Sequence, residues 1–495
     1  MSEPHPAAGD AAGILYTDLE PEAMSRPLSS LIQRDPVSCP PQTPVREAIA
    51  TMHRLGIGSI VVCEDAAAPV GIFTVQDVLD RVTLPGIDLA TPIARVMSGN
   101  LRTLPPSASA YEAAFIMAGQ GIHHVVVVDN GRLAGVVSER DLFTRLGNFM
   151  RRVGTELRHA EDLTSLLRAS GAIHGLAANM LRQGLRASQV TRLISTLNDV
   201  LTQQIIKLEM RAADVADIRW CFIELGSAGR LEQTFSTDQD NGLIFAHADP
   251  EWARARLLPT AQRINQRLAT CGIPLCRGDI MASNPRCCLS LAEWQLQFAN
   301  WIDHSDPQAL LNATIFFDFR AQYGDASLAV GLRAWLMNYV AGSSRFLVQM
   351  TQNALANEPP LGRLRDFIPT GGREHPHAID LKVNGITPFA DAARIYSLSA
   401  GVAATNTVQR LRETAQKLHI PAPEVAAWVE AIEFLQGLRL KHQDALQQAG
   451  QPVHNFVVPR ALNELERRIL KESLRQARRL QLRLARHVGL TGYGF

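Results

Sequence analysis

Apolar residues along this chain change their period from one stretch to the next. From Pro40, PPQTPVREAIATMHRLGIGSIVV opens with a turn, spaces Ala48, Met52 and Leu55 at helical intervals, then runs Ile60-Val61-Val62 without a break. The first pattern predicts an amphipathic helix and the second a buried strand. From Pro105, PPSASAYEAAFIMAGQGIHHVVV repeats the order, with Ala113, Ile116 and Met117 on the helix and Val125 to Val128 as the strand. Pro40-Pro41, Glu47-Ala48 and Gly56-Ile57 recur at an offset of 65 as Pro105-Pro106, Glu112-Ala113 and Gly121-Ile122. A second match, 71-GIFTVQD-77 against 135-GVVSERD-141, runs at an offset of 64. It predicts another strand in each repeat. Thr74 or Ser138 then caps a helix with Asp77 or Asp141 three residues on, the spacing of a capping box.

Residues 150 to 217 carry a helical period and no strand signal. Trp220 to Leu225 then reads as a buried strand that stops at Gly226-Ser227, and AGRLEQ suits a turn and a short helix. Thr237 to Phe245 reads as the next strand. Positions i and i+2 of a strand share a face, so Asp238 and Asp240 present two carboxylates side by side. Like charges held that close repel unless protonated or neutralised by a cation. Hard divalent cations such as Mg²⁺ take carboxylate oxygens and keep positions open for phosphate. Gly226-Ser227 at a helix start offers backbone N–H groups to an anion. A phosphate cradle opposite a metal pair suits nucleotidyl transfer. Arg230, just past the turn, either holds a phosphate or is an exposed helix arginine. Beyond residue 325 the period is again helical, with pauses at Pro359-Pro360, Gly371-Gly372 and Pro421. LNELERRILKESLRQARRLQLRLARHV predicts a long amphipathic helix whose arginines form a solvated face.

Composition narrows the class. A chain of 495 residues suggests about three domains at ~150 residues each. With 46% hydrophobic and 20% charged residues it reads as an ordinary globular protein. A net charge of +1 gives no global attraction to nucleic acid or membrane. The start, MSEPHPAAGDAAG, has neither the basic nor the apolar region of a secretory signal, and no run approaches the ~18 apolar residues of a membrane span. These features point to the cytoplasm. Seven cysteines without CxxC spacing predict buried free thiols rather than zinc ligands.

The N-terminal repeat resembles a tandem pair of cystathionine-β-synthase-type (CBS) domains over residues 24 to 148. The resemblance implies adenine nucleotide in the clefts, with Thr74, Asp77, Ser138 and Asp141 meeting ribose and phosphates. The competing reading is that these four only cap helices. Gly-Ser, ten residues, then Asp-x-Asp between apolar runs resembles the DNA-polymerase-β-like nucleotidyltransferase superfamily. The longer string GSAGRLEQTFSTDQDNGLIF is similar to the uridylyltransferases that modify PII proteins, and to the CBS-linked nucleotidyltransferases related to them. The resemblance implies a third carboxylate on a later strand, with Asp279 the first choice and Asp318 the second. The stretch 379-IDLKVNGITPFAD-391 is similar to a motif that follows the nucleotidyltransferase domain in that family, without the second glycine of its Gly-Gly pair. It implies Asp380 and Lys382 at the nucleotide, with Lys382 on a phosphate. An intramolecular ion pair is the alternative.

The expectation is therefore a multidomain α+β protein. It has a flexible start (1–23), tandem CBS domains (24–148), a helical linker (149–217), a polymerase-β-like nucleotidyltransferase domain with a small mixed sheet (218–325) and a helical C-terminal domain (326–495). Asp238, Asp240 and Asp279 form the catalytic set, and the first two hold Mg²⁺ or Mn²⁺. Gly226, Ser227, Arg230 and Lys382 bind the NTP. The product is a nucleoside monophosphate on an acceptor protein, under control of adenine nucleotide at the CBS pair. A homodimer is a family-level expectation. The rival is a non-catalytic nucleotide-sensing scaffold whose helical half binds a partner. Neutral charge and the lack of aromatic platforms argue against transfer to RNA.

Overall fold

The structure is a computed structural model. It describes residues 27–490 apart from 33–34, 65–67, 121, 139–140, 142–146, 183–184, 212 and 363–366. The flexible start expected over 1–23 lies outside the described residues. Contacts divide the chain into two units, 1–154 and 155–495.

The smaller unit contains the repeat. β1 (Ser38–Cys39), α1 (Val45–Leu55), β2 (Ser59–Glu64) and β3 (Ala68–Thr74) are followed by β4 (Thr103–Leu104), α2 (Ala110–Gln120), β5 (His124–Asp129) and β6 (Arg132–Ser138). Each set makes a three-stranded sheet, β1-β2-β3 or β4-β5-β6, with a parallel first pair and an antiparallel second pair. Ser59 pairs with Thr74 and His124 with Ser138, so the two capping positions occupy equivalent places in register. Val45, Ala48 and Met52 face the core from α1, whereas Leu55, expected on the same stripe, is exposed. It sits in the last turn, where Gly56 at φ 62° ends the helix. Val61, Cys63 and Val126 join the two sheets through a shared apolar cluster.

The larger unit begins within the helix Gly147–His159 and continues with a helical hairpin, α3 (Leu163–Arg182) and α4 (Ala187–Met210). Expected to be a linker, this hairpin instead packs into the unit, with α4 against α5 (Pro250–Thr270) and against the later helix Ala422–Gln448. A four-stranded mixed sheet follows in the order β10-β7-β8-β9. β7 (Arg219–Glu224) and β8 (Asn241–Ala246) are antiparallel neighbours; β9 (Cys288–Ser290) runs parallel to β8, and β10 (Arg320–Gly324) antiparallel to β7. Glu224 pairs with Asn241 on one side and Arg320 on the other, so three strands end on one edge of the sheet. Helices α6 (Leu291–His304), α7 (Pro307–Phe316), α8 (Ala326–Ala341) and α9 (Ser344–Ala356) surround it. The C-terminal part adds the two-residue strand β11 (Ile379–Asp380), α10 (Thr387–Ser399), α11 (Thr407–Lys417), α12 (Ala422–Gln448), β12 (Phe456–Val457) and α13 (Glu464–His487). One apolar core containing Trp294, Phe298, Phe317, Phe346 and Phe389 runs through sheet and helices. The arginine-rich helix is α13, and it buries Leu470, Leu474, Leu480 and Leu484.

All seven cysteines are free thiols; five are buried, while Cys39 and Cys276 are half-buried. Among the described residues, no helix is long and apolar enough to cross a membrane.

Candidate active site

The site is built on the edge where β7 and β8 meet. After β7 the Leu225 N–H donates to Asp240 O at 2.9 Å, which holds the Asp238–Asp240 segment beside the turn that follows. That turn is one helical turn, Gly226–Gly229. Gly226 has φ 52°, and a Cβ there would stand 2.9 Å from Asp240 Oδ2. Only glycine meets both demands. The first N–H groups of a helical turn have no partner within it.

The second strand starts later than expected, at Asn241 rather than Thr237. The cause is Gln239. Its N–H bonds to Pro274 O, and its buried amide donates to Asn265 O at 2.9 Å and Ile273 O at 2.8 Å. These bonds tie the segment to the end of α5 and the turn after it, and not to a sheet partner. Gln239 is nearly fully buried, while Asp238 and Asp240 on either side of it are both partly exposed.

Burial, then the Asp238 charge, pushes the Asp240 carboxyl up to about 6, against the pull of Cys276, Lys382 and Arg230. Glu224 is pushed up to about 8 by burial and then by Asp199, with Arg320 opposing. Carboxyls crowded this way fit a divalent cation, which removes the repulsion. Among the described residues no cluster of three or more His, Cys, Asp or Glu could hold a metal ion. Mg²⁺ commonly takes only one or two carboxylates and completes its shell with phosphate and water, so the Asp238–Asp240 pair fits it.

Ser227, Arg230 and Asp238 line one pocket with Lys382 and Arg439. Lys382 stands at the start of a π-helical turn, Leu381–Ile386, whose N-cap is Asp380. Asp380 accepts from the N–H groups of Lys382 (2.8 Å) and Val383 (3.0 Å), so its role is to hold the backbone that carries Lys382. Arg439 was not anticipated from the sequence. It lies on α12, its Nε donating to Asn455 Oδ1 at 2.7 Å, and burial lowers its pKa to about 10 although Asp380 opposes this. Its signal was legible in retrospect. Trp428, Ile432, Leu435 and Arg439 mark one buried helical stripe, and an arginine on such a stripe needs a counter-charge or a ligand.

Arg230 is fixed from behind. Its Nη1 donates to Asp318 Oδ2 at 2.7 Å and its Nε to Glu232 Oε2 at 2.9 Å. Burial opposes the Arg230 cation, but Glu232 and Asp318 outweigh it and raise the pKa. Asp318 is fully buried and also accepts from Arg394 (3.1 and 2.7 Å) and Arg410 (2.6 Å). Burial alone would raise its pKa, but Arg394, Arg410 and Arg230 hold it far below the usual range. Four chain segments meet on this one carboxylate, which leaves it no oxygen for a metal. Asp279, the first choice for a third carboxylate, is exposed at φ 55° with Oδ2 accepting from Asn284 Nδ2 at 2.9 Å.

In the smaller unit the capping box at Thr74 forms, and Ser138 and Asp141 exchange the same reciprocal backbone–side-chain bonds. Thr74 Oγ1 donates to Asp77 Oδ2 at 2.8 Å, and Ser138 Oγ to Asp141 Oδ2 at 2.5 Å. Asp77 also accepts from Ser98 Oγ at 3.1 Å and pairs with Arg81 at 3.2 Å.

Comparison with known proteins agrees with this layout. The CBS domain model matches residues 28–83 and 93–148. The model "Putative nucleotidyltransferase DUF294" matches 171–308, and "Putative nucleotidyltransferase substrate binding domain" matches 344–488. The CBS domain-containing protein YhcV of Bacillus subtilis is 33% identical over 102 residues, 21% of this chain and 72% of that protein. An uncharacterized protein of Methanopyrus kandleri is 31% identical over 117 residues, 23% of this chain and 60% of its own length. Among solved structures, a CBS domain protein from Pyrobaculum aerophilum complexed with AMP is 30% identical, covering 26% of this chain and 98% of that one, with a TM-score of 0.24.

Proposed function

The chain belongs to the family that joins a CBS pair to a DUF294 nucleotidyltransferase module and its substrate-binding domain, and from that premise we propose a signalling nucleotidyltransferase. It moves a nucleoside monophosphate from an NTP to an acceptor protein in the cytoplasm, and adenine nucleotide at the CBS pair sets the rate. The observation that carries this reading is the single pocket in which Ser227, Arg230 and Asp238 face Lys382 and Arg439.

Arg230, Lys382 and Arg439 bind the triphosphate, with the Ser227 hydroxyl and the N–H groups of the Gly226 turn beside it. Asp238 and Asp240 would hold Mg²⁺ or Mn²⁺, which when bound would supply screening of the phosphate charge. Asp318 and Glu232 keep the Arg230 guanidinium aimed without a rotamer search at the moment of reaction. Burial disfavours the Arg439 cation more than Asp380 and Asp238 support it, so an anionic ligand would complete its counter-charge. At the CBS pair, Thr74, Asp77, Ser138 and Asp141 offer hydroxyls and carboxylates to a ribose and its phosphate. For the ligand to regulate, it must bind the active and inactive arrangements unequally.

The sensing scaffold is favoured by one observation: Asp318 is sealed by arginines and Asp279 is held by Asn284, so neither stands free as a third carboxylate. The two readings separate in one experiment. Purified protein with Mg²⁺ and each NTP labelled at the α-phosphate should label an acceptor in a lysate and release pyrophosphate. NTP binding with neither label nor pyrophosphate would leave the scaffold.

A further inference from the structure

A second cavity adjoins the phosphate pocket at Thr237. It measures about 260 Å³, near the small end of ligand pockets (~300 Å³ upward). Its walls are α3 and α4 on one side and the segment around Phe235 with the turn at Ile273 on the other; Gly171, His174, Leu201 and Thr237 face it. The His174 ring stands edge-on to Phe235, with centroids 5.8 Å apart at 71°. Burial lowers the His174 pKa, which favours the neutral imidazole.

Three features connect this cavity to the phosphates. Thr237 lines both it and the phosphate pocket. A narrow gap beside Asp238 and Glu224 shares Asn198 and Ile273 with the cavity. The Thr237 hydroxyl oxygen is buried and has no hydrogen-bond partner, a standing cost that a turn of its side chain toward a ligand hydroxyl in the cavity would remove.

We propose that this cavity receives the nucleoside end of the NTP, with the base against His174 and Phe235 and a sugar hydroxyl on Thr237. The inference rests on the phosphate pocket proposed above. A ligand anchored there by its β- and γ-phosphates, with its α-phosphate at Asp238, must carry its sugar and base away from the arginines. The adjoining space that offers aromatic and aliphatic walls to a flat ring is this cavity. Every base has a π-face that stacks on such walls, and the neutral imidazole adds a donor or acceptor for its edge.

Gly171 provides the test. A Cβ there would meet nothing within 4 Å, and leucine suits a helix better than glycine, so Gly171→Leu fills the cavity without disturbing the fold. Binding of inorganic tripolyphosphate and of each of the four NTPs would be measured by calorimetry on the full chain in Mg²⁺. The wild type should bind at least one NTP more tightly than tripolyphosphate. Gly171→Leu should weaken that NTP at least about tenfold, the scale of a lost base stack, leave tripolyphosphate affinity unchanged and not lower the melting temperature. Phe235→Leu should weaken the same NTP in the same direction. Unchanged NTP binding in Gly171→Leu overturns the proposal, as does an equal loss for tripolyphosphate or a wild type that gains nothing from the nucleoside. A wild type that binds no tripolyphosphate overturns the phosphate pocket itself, and the proposal with it.

Discussion

Asp240 is placed where a carboxylate is costly, and the cost has a sign that experiment reads. Its folded-state pKa of about 6 lies above the ordinary 3.8, so the folded chain holds that proton more tightly than the unfolded chain. The stability it offers is intact below about pH 4 and is lost as pH rises through 6. In metal-free protein at pH 8, Asp240→Asn should therefore raise stability by about 1–3 kcal/mol, and the gain should fade toward pH 4 in thermal melts with EDTA. Glu224→Gln should behave alike across the interval from 4.5 to about 8. In transfer assays the order reverses. Asp238→Asn with Asp240→Asn should abolish α-label incorporation while the circular dichroism spectrum stays that of the wild type. This pair, the Gly226 turn and Lys382 were legible because their chemistry is local. Arg439 carried only the weaker signal of an arginine on an apolar stripe, since its place at the site depends on how α12 packs. The fate of Asp318 was not legible, since its three arginines come from residues 230, 394 and 410.

At the scale of elements, close approach of backbone is the constraint that periodicity does not see. A Cβ on Gly229 would lie 1.7 Å from the Asp318 carbonyl oxygen, so the helical turn after β7 sits directly on the chain at 318. Gly229→Ala should cost about 2–4 kcal/mol in urea titrations, with loss of NTP binding in step. Strands and long helices with a clear period were found where expected, and both repeats formed the same sheet with the same cap. The start of β8 was placed too early because the residues from Thr237 alternate like a strand while Gln239 bonds to Asn265 and the turn at Ile273 and Pro274. β11 and β12 span two residues each, too few to show any period, yet they fix the backbone that leads to Lys382.

For the whole molecule, the division into two units predicts two calorimetric transitions. AMP should raise one and Mg²⁺ with NTP the other, each by about 2.7 kcal/mol at a hundredfold excess over Kd. A single transition raised by both ligands would mean that the two units unfold together. The repeat and the Gly-Ser to Asp-x-Asp motif each fall in one of the two units, whereas the hairpin α3–α4 reads as a linker because helical period says nothing about what a helix packs on.

The carboxylate of Asp318 also constrains inheritance. Arg230, Arg394 and Arg410 all pair with it, and losing it would leave Arg230 only Glu232, Arg394 only Asp391 and Arg410 no carboxylate partner among the described residues, at about 3–5 kcal/mol for a broken buried pair. A lineage could change any one of these four positions only by passing through a poorly folded intermediate. Across relatives they should therefore be kept or replaced as a set, and a homologue with a neutral residue at 318 should have shed arginines at the other three.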